Sequence, residues 1–173
     1  MDRNYYIELR KQYLPAVIKI IFVLESPPIS GKYFYNPNGK TTEPLFREIM
    51  NCVLNSQPSS KKDGLEGFRE AGYVLVDATY KPVNNLRGRK RDKRILSNYI
   101  LLKDDLTGIL IEQKPKIPSI ILVKANVCKL LEQKLLLDGF NVINEGLIVP
   151  FPAFGHQNKF CERIKVLLAK IIQ

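Results

Sequence analysis

The chain has 173 residues, 45% of them hydrophobic, which is enough to bury one core without staples and too few for several domains. Lys and Arg number 27 against 17 Asp and Glu, a formal charge of +10, so a polyanionic partner is favoured, either nucleic acid or an anionic membrane surface. No apolar run reaches the roughly 18 residues of a membrane span, and the start MDRNYYIELRKQY has no signal-peptide core. A soluble, cytoplasmic protein with no membrane partner is expected. Cys52, Cys128 and Cys161 are odd in number, widely spaced and set in apolar stretches, and they read as buried thiols rather than a disulfide framework.

Four apolar segments rich in β-branched residues read as strands: Val17 to Leu24, Tyr73 to Val76, Ser119 to Val123, and Val142 to Val149. The near-continuous apolar runs fit strands buried on both faces of a parallel sheet. Helical spacing predicts helices over Glu43 to Leu54, Asn126 to Leu137 and Asn158 to Ile172. The alternation of strand and helix predicts one α/β domain over 1–173, a three-layer α/β/α sandwich around a central four-stranded, mainly parallel sheet.

In such sheets ligands bind beyond the carboxyl ends of the strands, so the loops that follow them matter most. The first is Glu25-Ser26-Pro27-Pro28, continuing through Gly31-Lys32-Tyr33-Phe34-Tyr35-Asn36. The second is Asp77-Ala78-Thr79-Tyr80-Lys81-Pro82-Val83-Asn84-Asn85, which runs into the basic stretch Arg87 to Arg94. The third, Lys124-Ala125-Asn126, offers only a helix cap at Asn126. The fourth is Pro150-Phe151-Pro152-Ala153-Phe154-Gly155-His156-Gln157-Asn158-Lys159. Each taken alone is ordinary loop or surface material, but three polar and aromatic loops would meet on one edge.

Taken in order, these loops resemble those of the uracil-DNA glycosylase superfamily, over most of the chain. Leu24-Glu25-Ser26-Pro27-Pro28 stands where that family has Gly-Glu-Ala-Pro-Gly or Gly-Gln-Asp-Pro-Tyr, the motif that holds the catalytic water. Gly31-Lys32-Tyr33-Phe34 is similar to its Gly-Arg-Pro-Phe, which makes Phe34 the aromatic that stacks on the extruded base, with Asn36 beside it in the base pocket. Asp77 stands at the position of the Asn that reads the base edge, and Lys81-Pro82-Val83-Asn84-Asn85-Leu86-Arg87 resembles the following Lys-Cys-Arg-Pro-Pro-Asn-Asn-Arg. Pro150 to Lys159 corresponds to the His-Pro-Ser segment and its DNA-contacting loop, with Phe151 and Ala153 in place of the His and Ser. The resemblance implies a uracil-DNA-glycosylase-like domain that flips a damaged, deaminated or modified base from DNA and hydrolyses its N-glycosidic bond in base excision repair. It implies DNA, double- or single-stranded, as partner, and a monomer without cofactor. Three scattered cysteines exclude the four-cysteine iron-sulfur cluster of one branch.

Breaking that bond builds positive charge on the sugar and negative charge on the leaving base. Glu25 can order or deprotonate water, Ser26 can position it, and His156, five residues beyond the family's own histidine position, can reach the leaving base. Ionised Asp77 only accepts hydrogen bonds, so it predicts a base with an amino group on the edge it reads, such as cytosine or a modified cytosine. Lys81, Asn84, Arg87, Arg89, Lys90, Arg91 and Arg94 are expected on phosphates, with Gln157, Asn158 and Lys159 entering the groove. A second reading is a nucleic-acid-binding module on a catalytically degenerate scaffold of the same kind. An unrelated hydrolase or nucleotide-binding protein has no support, because no Gly-x-Ser-x-Gly elbow, phosphate loop or metal-ligand cluster is present in the sequence.

Overall fold

A computed structural model of the chain describes residues 2–111, 113 and 117–171. It is an α/β protein built on a small parallel sheet of β1 (Ile20–Leu24), β2 (Tyr73–Asp77) and β3 (Ser119–Leu122), in the order β2-β1-β3. β1 is wholly buried, as its unbroken apolar run demands. Its register pairs Leu24 with Asp77 on one side and Val23 with Leu122 on the other, so the carboxyl ends of all three strands finish together.

The strands alternate between two cores. Ile20, Phe22, Leu24, Leu75 and Ile121 face α1 (Arg3–Lys11), α2 (Pro44–Cys52), α3 (Lys61–Glu70) and α7 (Gln157–Ala169) through residues such as Tyr6, Phe46, Phe68 and Phe160. Ile21, Val23, Val74, Val76, Ile120 and Leu122 face α4 (Gly88–Ser97), α5 (Tyr99–Leu110) and α6 (Ala125–Leu137) through Ile95, Leu106 and Leu131. Helices thus cover both faces. Each fully buried large side chain contributes about 1.5–3 kcal/mol, so these two clusters carry most of the stability.

The expected fourth strand is not formed. Val142 and Val149 make only isolated parallel bridges, to Ile120 and Val123, and the sheet has three strands rather than four. The reason is Asn144. Its side-chain amide occupies the edge of β3, Oδ1 accepting the Leu122 N–H at 2.7 Å and Nδ2 donating to the Leu122 carbonyl at 3.0 Å, which satisfies there what a fourth strand would have satisfied.

The cysteine expectation also needs correction. Cys52 at the end of α2 and Cys161 in α7 form a disulfide, with Cα atoms 5.3 Å apart, and only Cys128 is a free, buried thiol. The sequence could not pair residues separated by 109 positions. Glu48 Oε2 lies 3.8 and 3.9 Å from the two sulfurs. Cross-linking so long a loop restricts the unfolded chain, so Cys52→Ser should cost about 2–5 kcal/mol in denaturant unfolding without reductant. Alkylation in denaturant should count one reactive thiol before reduction and three after. Equal stability of the two proteins in both conditions would refute the bridge.

No helix among the described residues is long and apolar enough to cross a membrane.

Candidate active site

Beyond the carboxyl ends of β1, β2 and β3 lies a cleft of about 690 Å3, within the range of small-ligand sites. All four loops singled out in the sequence reach it. Glu25 and Ser26 follow β1, Asp77 ends β2, Lys124 follows β3, and Phe151, Ala153, Phe154 and His156 come from the segment before α7.

Glu25 directly follows the last residue of β1 and is only 5% exposed. A buried carboxylate needs partners. Lys124 Nζ donates to Oε2, Asn126 Nδ2 donates to Oε1, and Arg91 Nε stands 3.5 Å from Oε1. Asn126 is therefore no helix cap: α6 starts at Ala125, and the Asn126 amide is committed to Glu25. Lys124 holds its place with φ +86°, a conformation that non-glycine residues adopt at a cost of about 1–3 kcal/mol and that clusters at functional sites. Ser26 Oγ accepts the Val83 N–H at 3.2 Å, which joins the β1 and β2 loops and leaves its own O–H free to donate.

Asp77 is 3% exposed, and its Oδ2 has no hydrogen-bond partner among the described residues. The Tyr33 hydroxyl, also buried, lines the same cleft close enough to Asp77 to act on its carboxyl, though no group among the described residues lies within full hydrogen-bond distance of it. Burial, reinforced by the negative charges of Asp105 and Glu25, pushes the Asp77 carboxyl up to about 8, although Arg10 and the Tyr33 hydroxyl pull it down. Asp77 also lines a second cavity of about 210 Å3 with Thr79, Tyr80, Lys81 and Asn98. Behind it, Arg10 makes two bonds to Asp105, of 2.8 and 2.5 Å, and one of 2.7 Å to the Tyr80 hydroxyl, which itself donates to Asp105 at 2.9 Å. This buried triad ties α1, α5 and the β2 loop together behind the site.

Comparison of the chain with family models, curated proteins and solved structures finds no match. What the cleft can do must be read from its geometry.

Phe34 lines the cleft, but its ring is 4% exposed and packs against Tyr35, Phe46 and Phe68, so it serves the core as much as the site. Asn36 is turned onto its own loop, Oδ1 accepting the Asn38 N–H at 3.1 Å, and is not among the cleft-lining residues. Asn84 lines the cleft and accepts the Ile29 N–H at 3.2 Å, closing the two loops over each other. His156 is exposed at the start of α7 and makes no side-chain cap bond there. Gln157, Asn158 and Lys159 form the first turn of that helix.

The basic run is helical. Within α4, Ile95 is buried in the core and Arg91 lies one turn before it, facing Glu25, while Arg89, Lys90, Lys93 and Arg94 remain exposed, as does Arg87 before the helix. Lys81, in the loop after β2, is exposed as well.

Three site residues escaped the sequence reading. Lys124 and Asn126 read as a loop and a cap, and no residue-type signal marks them as partners of Glu25. Phe154 is 98% exposed at the cleft mouth with φ +53°, followed by Gly155 in the same left-handed region. An aromatic residue followed by glycine in a loop after the last apolar segment was the available signal.

Proposed function

We propose that this protein is a DNA glycosylase, a three-layer domain resembling the uracil-DNA glycosylases that extrudes a base into the cleft and hydrolyses its N-glycosidic bond. The observation that carries this reading is Asp77, a buried acid with an unpartnered oxygen in a cleft lined by Phe34, with Glu25 and Ser26 beside it and the basic α4 alongside. A group buried at such cost without a partner is matched when a ligand supplies one. Phe154 is suited to fill the gap that an extruded base leaves in the stack, with Gln157 and Lys159 on the adjacent phosphates.

The Asp77 environment changes the expected base. In a setting that favours the neutral acid, the carboxyl offers one donor and one acceptor, as an amide does. That matches the carbonyl and N–H edge of uracil or hypoxanthine rather than the amino edge of cytosine. Glu25 and Ser26 orient the attacking water, and His156 assists departure of the base.

The decisive experiment is incubation with duplexes carrying uracil, hypoxanthine, cytosine or a modified cytosine, followed by alkaline cleavage at abasic sites. Strand breaks are expected at uracil or hypoxanthine, with Glu25→Gln lowering the single-turnover rate by about 10²–10⁴. Breaks on no duplex, with binding retained, would establish the binding-module reading instead. That reading draws support from the Lys124 and Asn126 bonds that already engage both oxygens of Glu25, with the Arg91 guanidinium 3.5 Å away.

Either reading places α4 on phosphates. Replacing Arg89, Lys90, Lys93 and Arg94 by Gln should weaken duplex binding and reduce the slope of log K against log salt by about 0.9 for each phosphate no longer neutralised. An unchanged slope in a salt titration would remove α4 from the interface.

A further inference from the structure

Lys124 is the one amine that touches Glu25 among the described residues, and its backbone is held in a conformation better suited to glycine. Nucleophilic sites share a recognisable arrangement, in which the nucleophile bonds to a base and a further group orients that base. Lys124 bonds to Glu25, Asn126 fixes the carboxylate by its other oxygen, and the Arg91 guanidinium stands 3.5 Å from that same oxygen. Lys124 also lines the cleft with Ser26, Asp77 and His156. Arg91 already stands beside this carboxylate as a second cation, and the left-handed backbone at Lys124 is the kind of strain that clusters at functional sites.

We propose that Lys124 is a nucleophile of this cleft, whose amine condenses with the aldehyde of an abasic sugar, so that the protein nicks abasic DNA. The inference rests on the reading that the cleft receives an extruded nucleotide. Lys124 passes a proton to Glu25, and Nζ bonds to C1′ of the open-chain sugar. The carbonyl oxygen leaves as water, giving an imine. Glu25, having returned its proton to that departing water, accepts the C2′ proton; the C3′–O bond breaks and its electron pair leaves with the 3′ phosphate. Water then hydrolyses the imine and restores the amine. No oxidant, reductant or metal is needed for this balance.

The test is a duplex with a single abasic site, incubated with the full chain and sodium borohydride, which reduces an imine to a stable bond. A covalent protein–DNA adduct is expected, and peptide mapping should place it on Lys124. Lys124→Arg keeps the cation but cannot form the imine, so the adduct should be lost. Should that variant not fold, mapping on the wild-type protein decides alone. An adduct on another lysine or on the terminal amine would overturn the proposal. So would duplex binding without any adduct, or an adduct undiminished in Lys124→Arg. Base release is scored separately on base-containing duplexes, so failure of the glycosylase reading is seen there and not in the trapping yield.

Discussion

Asp105→Ala is expected to destabilise the protein by about 3–5 kcal/mol, the usual cost of leaving one member of a buried ion pair without its partner. Arg10 and Asp105 have side chains only 4% and 7% exposed, so water cannot replace the lost carboxylate. Burial opposes the charge on Arg10 and the bonds to Asp105 favour it; with those bonds gone, the intrinsic basicity of the guanidinium still keeps it protonated, so the cation is left buried and uncompensated. The Tyr80 hydroxyl loses its acceptor in the same step. Urea unfolding measures the difference directly. The double replacement Arg10→Met with Asp105→Leu should cost much less, because it removes both charges and keeps apolar volume. Equal destabilisation of single and double variants would show that the pair matters for its packing and not for its charge. The single variant should also reach the site. Asp105 raises the Asp77 carboxyl and Arg10 lowers it, so removing Asp105 should move the Asp77 titration downwards.

Asp77→Asn is expected to stabilise the protein near pH 8 and to flatten its stability between pH 4 and 8. In the unfolded chain Asp77 titrates near 3.8, and in the fold it is pushed up to about 8 by burial. Below 3.8 both states hold the proton. Between the two values the unfolded state releases a proton that the folded state keeps, so stability falls as pH rises; above about 8 both are ionised and the loss levels off. The full span is on the order of 5 kcal/mol. Asn carries no such proton, so the variant should gain most at pH 8 and almost nothing at pH 4. Urea unfolding at the two pH values tests this, and a gain independent of pH would sink it. For activity the same change predicts that wild-type release of uracil declines as pH rises through 8, while Asp77→Asn does not share that decline.

The sequence exposed the parts of the fold that depend on continuous apolar runs. β1, β2 and β3 fall within or beside the predicted segments, because a strand buried on both faces has nowhere to place a polar residue. α2, α6 and α7 were likewise legible from one apolar face. α1, α3, α4 and α5 were not read. α4 buries only Ile95, so its period is hidden in a run of charge, and α3 anchors itself through buried Lys61, bonded to Glu43 and the Tyr33 carbonyl. In the site, Glu25 and Asp77 were visible because each stands at a strand end. What completes them was not, since Lys124 and Asn126 act across about 100 positions and Asp77 owes its acid form to burial that no local pattern encodes.

Asn144 has a consequence for how the molecule behaves among its own copies. A strand at the end of a sheet presents free N–H and C=O groups that invite another chain to pair, the usual route to domain swapping and fibrils. At Leu122 that invitation is withdrawn by a single amide, itself 0% exposed, with Val142 and Val149 covering the positions on either side. One side chain thus does for β3 what other proteins do with edge charges, prolines or an added strand, and it guards that edge of the sheet against pairing with another copy.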